Sequence, residues 1–240
     1  MEFSAQDIIK KIDDFYNEVN KKTRYKSWEH CYYCFYWARG EEKDYDYLAL
    51  QLAFYLASWG MYRGSSFLIY YDYKIHVDAV KIILNKKYDV LCGISCSDLS
   101  ISKNLDLLFD LVDELRNYYD DKRTVYYNKT ENKNNNPVKE LSSTLISKIL
   151  LGTLGCVPAY DRFFINAIKK YNVSTGIFNK KSLEKIIQFY NDNDTLFKEC
   201  KNKFLINDII QYPDMKLIDM GFWQLGYEIS NISLLEKTSQ

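Results

Sequence analysis

Thr144-Leu145-Ile146-Ser147-Lys148-Ile149-Leu150-Leu151-Gly152-Thr153-Leu154-Gly155-Cys156-Val157-Pro158-Ala159-Tyr160-Asp161-Arg162-Phe163-Phe164 decides how this chain is read. It predicts a helix, a break and a second helix. Residues 144–151 are an apolar run suited to a core helix. Gly152 and Gly155 are expected to end it, because glycine tolerates the left-handed backbone of a helix C-terminus. Pro158 fixes its own φ and biases Val157 away from the helical region. The second helix is expected from about Asp161 through Ile168. Asp161 then has two readings. One is an N-terminal helix cap. The other is a carboxylate held at the mouth of a cleft by the positive end of the helix dipole.

On the N-terminal side, residues 4–19 predict an amphipathic helix with Ile8, Ile12, Phe15 and Val19 on one face and Ser4-x-x-Asp7 as its cap. Lys21 to Lys26 reads as a short basic connector. Residues 27–37, with Ser27 as the cap, and residues 47–58 are apolar on nearly every face, so both helices should be buried. Trp28 and Trp59 are therefore expected to abut one common cavity. Glu29 and His30 sit inside the first of these helices. They are either satisfied by local hydrogen bonds or placed in a ligand pocket.

In Trp59-Gly60-Met61-Tyr62-Arg63-Gly64-Ser65-Ser66, two glycines bracket an arginine. Ser65, Ser66 and nearby N–H groups can hold a phosphate with Arg63 as its charge partner. The plainer alternative is a tight turn with Arg63 paired to a carboxylate such as Asp72. Helices are also expected over 75–84, 105–119, 183–190 (capped by Ser182) and 213–227, with a hairpin over 89–97 as an option. Residues 120–136 read as a polar loop. Its Lys122, Arg123, Lys129 and Lys133 either touch a phosphate backbone or are simply solvated.

The 240 residues suit one large domain or two small ones. A single helical domain is expected, in which 120–136 joins lobes 1–119 and 137–240. The 32 Lys and Arg balance the 32 Asp and Glu, which argues against binding nucleic acid by bulk positive charge but leaves room for a local basic groove. No charged-then-apolar leader opens the chain and no apolar run is long enough to span a bilayer, so a cytoplasmic protein with reduced thiols and no membrane contact is expected. Cys31-x-x-Cys34 and Cys92-x-x-x-Cys96 lie among aromatic and apolar residues. They read as buried thiols rather than zinc ligands, and no metal is expected. There is no phosphate-loop or dinucleotide motif and no serine elbow, and His30 and His76 are the only histidines. Carboxylate chemistry or pure binding remains, with no cofactor.

The order helix, glycine-containing loop, aspartate, helix over residues 144–161 resembles the helix-hairpin-helix DNA glycosylases, with Gly155 near the family's loop glycine. The match covers only those residues. The family's hairpin carries a Gly-x-Gly whose N–H groups hold a DNA phosphate; Pro137-Val138-Lys139-Glu140-Leu141-Ser142-Ser143 has no glycine. The nucleophilic lysine of bifunctional members falls near Ser143, so the resemblance implies a monofunctional enzyme. Eight or more helices with short connectors imply an all-α orthogonal multi-helix bundle, and the resemblance implies the glycosylase form of it, a monomer acting on duplex DNA with a flipped base. Asp161 would stabilise the positive charge on the sugar and activate water. Trp28, Trp59, Tyr62 and Tyr160 would stack on the base beside Glu29 and His30, and Arg63, Ser65, Ser66, Lys148 and Arg162 would hold phosphates. Such enzymes serve repair or attack modified bases in phage DNA. The alternative is a non-catalytic all-helical binding or regulatory module. There Asp161 is a cap, Arg162 pairs with a neighbour and the aromatics fill a large core.

Overall fold

The computed structural model describes residues 4–21, 26–40, 43–64, 66–129 and 141–238. These fold into a mostly helical architecture with one very short two-stranded hairpin. No helix among the described residues is long and apolar enough to cross a membrane.

Helix α1 (Ala5–Lys21) turns Ile8, Ile12 and Phe15 inward. The Ser4 N–H and hydroxyl both bond the Asp7 carboxylate, at 3.0 and 2.9 Å, as the Ser4-x-x-Asp7 spacing predicts. The connector after it lies largely outside the described residues, at 22–25. Helices α2 (Ser27–Trp37) and α3 (Tyr45–Ser58) pack on each other. Ser27 is the first residue of α2 rather than its cap, and its buried hydroxyl has no hydrogen-bond partner. Asp44 caps α3 by accepting from the Tyr47 N–H at 2.9 Å.

Two 3-10 turns follow, Phe67–Tyr70 and Tyr73–His76, the second leading directly into α4 (Val77–Ile83). A further 3-10 turn (Lys86–Leu91) and α5 (Cys96–Leu99) occupy the region where a hairpin was an option. Helix α6 (Ser102–Lys129) runs well past the expected end at Tyr119. Residues 120–129 are therefore helix and not loop. Arg123 pairs with Asp120 at 2.8 Å one turn back, and Tyr126 packs on Tyr70 and Tyr71. Local charge pairs of this kind support a helix through polar sequence. Lys133 and Pro137 lie outside the described residues.

Helix α7 (Ser143–Thr153) is capped by Ser142, whose hydroxyl oxygen accepts from the Thr144 N–H at 3.2 Å. Gly152 does not end it. It lies inside the last turn, where a methyl group would overlap the Tyr55 ring, so its role is to let α3 come close. Gly155 is the stop: its φ is +63° and its N–H reaches the Leu150 carbonyl at 3.0 Å. Helix α8 (Arg162–Lys170) follows, capped by Asp161.

Helix α9 (Lys180–Asp192) is capped by Asn179, which accepts from the Ser182 N–H at 2.8 Å; Ser182 itself is buried and bonds Ser174 at 2.6 Å. After α10 (Asp194–Lys201) comes the hairpin of β1 (Leu205–Ile206) and β2 (Ile210–Gln211), paired Leu205 with Gln211 and Ile206 with Ile210. Its turn uses Asn207 and Asp208 at φ of 49° and 58°, residue types that tolerate the left-handed region.

The long α11 (Asp214–Thr238) is the axis of the core, with Met215, Leu217, Ile218, Met220 and Phe222 all buried and both α1 and α8 packed along it. Two glycines make that approach. A methyl at Gly221 would overlap Ile8, and one at Gly226 would overlap the Phe163 backbone carbonyl. Alanine at position 226 would gain about 1 kcal/mol of helix propensity, but backbone overlap costs more than that. Gly226→Ala is expected to destabilise the protein by about 2 kcal/mol net, lowering the melting temperature by roughly 4–8 °C. Gly40, with nothing near its missing side chain, is the control, and Gly40→Ala should leave the melt unchanged. Equal melts for the two variants would refute the close α8–α11 contact.

Candidate functional site

The stretch from Gly155 to Asp161 brings α7 and α8 together over α11. Lys148, in the middle of α7, is buried with a side chain 7 % exposed. Its ammonium donates to the Trp59 carbonyl at 2.9 Å and lies 3.6 Å from Asp161 Oδ2. Asp161 Oδ1 accepts from the N–H groups of Phe163 and Phe164 at 3.0 and 3.2 Å, and Oδ2 accepts from Trp223 Nε1 at 3.2 Å. Asp161 is thus a helix cap and an ion-pair partner at once.

A second pair stands beside the first. Lys216 and Asp219, one turn apart on α11, are both buried and bonded at 2.9 Å. The other Asp219 oxygen accepts from the Ala159 N–H at 3.0 Å. The Lys216 ammonium lies 4.9, 5.1 and 5.9 Å from the ring centres of Trp28, Phe15 and Trp59, within cation–π range. Trp28 and Trp59 therefore do face a common place, and an ammonium occupies it.

Burial pushes the Lys148 pKa down, opposed by the charges of Asp161 and Asp219. It pushes the Asp161 carboxyl up, opposed by Lys148 and by the two N–H groups of α8. Both groups are driven toward neutrality and held back by each other. The space among Tyr55, Trp59, Asp161, Asp219 and Trp223 amounts to about 10 Å³, on the order of one water.

The remaining candidates are scattered. Trp28 Nε1 donates to the Leu151 carbonyl at 2.9 Å, helping to close α7. Glu29 is buried and accepts from the Tyr212 hydroxyl, while His30, next in the chain, is exposed. Tyr62 bonds His76 Nε2 and Tyr119 bonds its Nδ1, each at 2.7 Å. Burial lowers the His76 pKa to about 3, so this histidine is neutral. Tyr160 turns toward Phe178 and Ser182. Arg162 is exposed, with its guanidinium 4.7 Å from the Phe163 ring. Ser65 lies outside the described residues.

Arg63 and Ser66 border a second, larger space. This open cavity of about 580 Å³ also takes in Phe67, Arg123, Tyr127 and Ser142. Asp72 does not pair with Arg63; it caps the Tyr73–His76 turn by accepting from the Lys74 N–H at 2.8 Å. Lys148 stands between the two places, because Gly60 of the cavity wall directly follows the carbonyl that Lys148 holds.

Sequence reasoning did not find Lys216, Asp219, Trp223 or Tyr55. A signal existed: Lys216 and Asp219 are charges inside the apolar run 215–222, and such charges must be paired. All six cysteines are unpaired, and Cys31, Cys96, Cys156 and Cys200 are buried. No group of three or more metal-ligating side chains converges among the described residues.

Lys148→Met tests the ion pair. It leaves Asp161 with an uncompensated buried charge, expected to cost about 3 kcal/mol at neutral pH. Without Lys148 the folded-state pKa of Asp161 stays above its unfolded value, so the folded state binds the proton more tightly. The added instability should therefore grow as pH rises from the unfolded carboxylate range toward neutrality and shrink again in mild acid. Urea melts at pH 5 and pH 7.5 read this directly. A loss independent of pH would mean that only the bond to the Trp59 carbonyl matters.

No family model, no curated protein and no solved structure matches this chain.

Proposed function

We propose that the chain is a helical binding module whose ligand enters the Arg63 cavity, with Asp161 holding the fold. The observation that carries this reading is the condition of the Asp161 carboxylate. One oxygen is used by two N–H groups of α8, the other faces Trp223 Nε1 and Lys148, and the space beside it is about 10 Å³. Pockets that take small molecules have roughly 300–1,000 Å³. A flipped base cannot come alongside Oδ2 unless Trp59 and Trp223 move. The Arg63 cavity, at about 580 Å³, is already of ligand size. The zero net charge of the chain fits a module that does not cling to nucleic acid in bulk.

A second reading is favoured by one specific feature. Asp161 Oδ2 borders a recess walled by Trp59, Trp223 and Tyr55, at the start of a helix that follows a glycine turn. A monofunctional DNA glycosylase acting on a damaged or modified base would use such a carboxylate to stabilise the cationic sugar once the aromatic wall opened.

Asp161→Asn separates the two. Asparagine still accepts from the α8 N–H groups, so the helix cap survives. Duplex DNA carrying normal, damaged or phage-type modified bases would be incubated with each protein, and abasic sites read by alkaline strand cleavage. The module reading expects no abasic sites from the wild type or the variant. Base release by the wild type that is lost in Asp161→Asn would replace the module with the glycosylase.

A further inference from the structure

Resting on the binding-module reading, we propose that the Arg63 cavity is a nucleotide-sized site for a phosphate monoester. Arg63, Arg123 and the N-terminus of α7 would take the phosphate, and Phe67 and Tyr127 the aromatic body. Among the described residues the lining of the cavity holds two arginines and no carboxylate. Arg63 is exposed and makes no ion pair with any described residue; its side chain folds back over Gly60, where a Cβ would meet its Nε at 2.7 Å. Arg123 spends one nitrogen on Asp120, at 2.8 Å, and is only 12 % exposed. Its Nε and Nη1 are closed off from solvent and have no hydrogen-bond partner. Those two nitrogens are closed to a ligand as they are to water, so Arg123 acts on the cavity through its charge, and the exposed guanidinium fork of Arg63 is the one that phosphate oxygens can meet.

Helix α7 adds to the same field. It has eleven residues, its cap Ser142 lines the cavity, and its first turn contains no acid to cancel the positive end of its dipole. The hydroxyl oxygens of Ser142 and Ser66 accept from the N–H groups of Thr144 and Leu68, at 3.2 and 3.4 Å. Each O–H proton therefore remains to be donated to a ligand. Two guanidinium groups and a helix end suit a terminal phosphate, with a charge of about −1.5 to −2 at neutral pH, better than a singly charged diester. Phe67 and Tyr127 contribute apolar atoms to the wall against which a base can pack.

Isothermal titration of the full chain tests this with nucleoside 5′-monophosphates, the parent nucleosides, inorganic phosphate, and a short single-stranded DNA with and without a 5′-phosphate. The monophosphates are expected to bind about tenfold or more tightly than the nucleosides, and Arg63→Ala to remove about tenfold of that affinity with an unchanged melting temperature. Arg123→Met removes the charge from the cavity wall, and should weaken binding as well. Stronger binding of the 5′-phosphorylated strand than of free nucleotide would support the site and name a strand end as the source; the reverse order names the free nucleotide. Equal affinity for nucleoside and monophosphate, or monophosphate binding indifferent to Arg63→Ala, would overturn the phosphate assignment while leaving the module standing. Absence of monophosphate and phosphate binding at millimolar concentration would overturn it too. Base release in the abasic-site assay bears on the module reading alone.

Discussion

Four charges share one small space: Lys148, Asp161, Lys216 and Asp219. Each costs several kcal/mol to take out of water unless paired and hydrogen-bonded. The pairing is thorough. Lys216 holds Asp219, which holds the Ala159 N–H; Asp161 holds the first turn of α8 and the Trp223 indole; Lys148 holds the last carbonyl of the α3 region. These bonds join α3, α7, the 155–161 turn, α8 and α11. An apolar replacement of similar volume would be about as stable on general grounds. What the charges add is register: sliding α11 by one residue would take Asp219 from the Ala159 N–H and the Lys216 ammonium from the rings of Phe15, Trp28 and Trp59.

The aromatic walls follow from the same constraint. Phe15, Trp28 and Trp59 surround the Lys216 ammonium, and Trp223 stacks on Tyr227 while crossing Phe15 and Trp59 edge-on. Tryptophan and tyrosine bring a large apolar body and one polar handle, which is what a core containing charges needs. Trp28 shows it: its ring faces Lys216 while its N–H closes a carbonyl at the end of α7. The excess of tyrosine has a related origin. Tyr62 and Tyr119 satisfy both nitrogens of the buried His76, and Tyr212 satisfies Glu29.

What could be read in the sequence was local. The Ser4 and Asp7 cap, the inward stripe of α1, the left-handed Gly155 and the start of α8 at Asp161 each depend on neighbours a few residues away. The misreadings have long-range causes. Gly152 looks like a helix stop until Tyr55, about a hundred positions earlier, fills the place of its side chain. Gly221 and Gly226 have no local signature at all, because their partners are Ile8 and Phe163. Ser27 and Ser182 lost the capping role because the helices begin one and three residues earlier than their caps would require. The hairpin over 205–211 was missed because its strands are too short to alternate, leaving only Asn207-Asp208 as a sign. At the candidate site, Lys148, Trp59 and Asp161 were singled out, but the pair that completes them comes from α11.

The resemblance over residues 144–161 has a physical explanation that does not involve chemistry on DNA. A helix closed by a left-handed glycine, a short turn and an aspartate opening the next helix are what two packed helices need to satisfy their end groups. Any chain that crosses α7 over α8 in this way tends toward that order of residues. The distinguishing information lies in what the second carboxylate oxygen meets. A catalytic carboxylate must confront the developing charge of the sugar, in a space the sugar can enter. In this chain Oδ2 meets an indole N–H and an ammonium, and the neighbouring Lys216 and Asp219 neutralise each other. The Arg63 cavity is the reverse case, with two guanidinium groups, a helix end without an acid in its first turn and no carboxylate among the described residues of its lining. Both places are anchored on one helix, since Ser142 and Leu145 line the cavity and Lys148 lies one turn further along. Helix α7 therefore carries an electrostatically closed site in its middle and an open one at its start, and the open one has the imbalance of charge that a ligand can relieve.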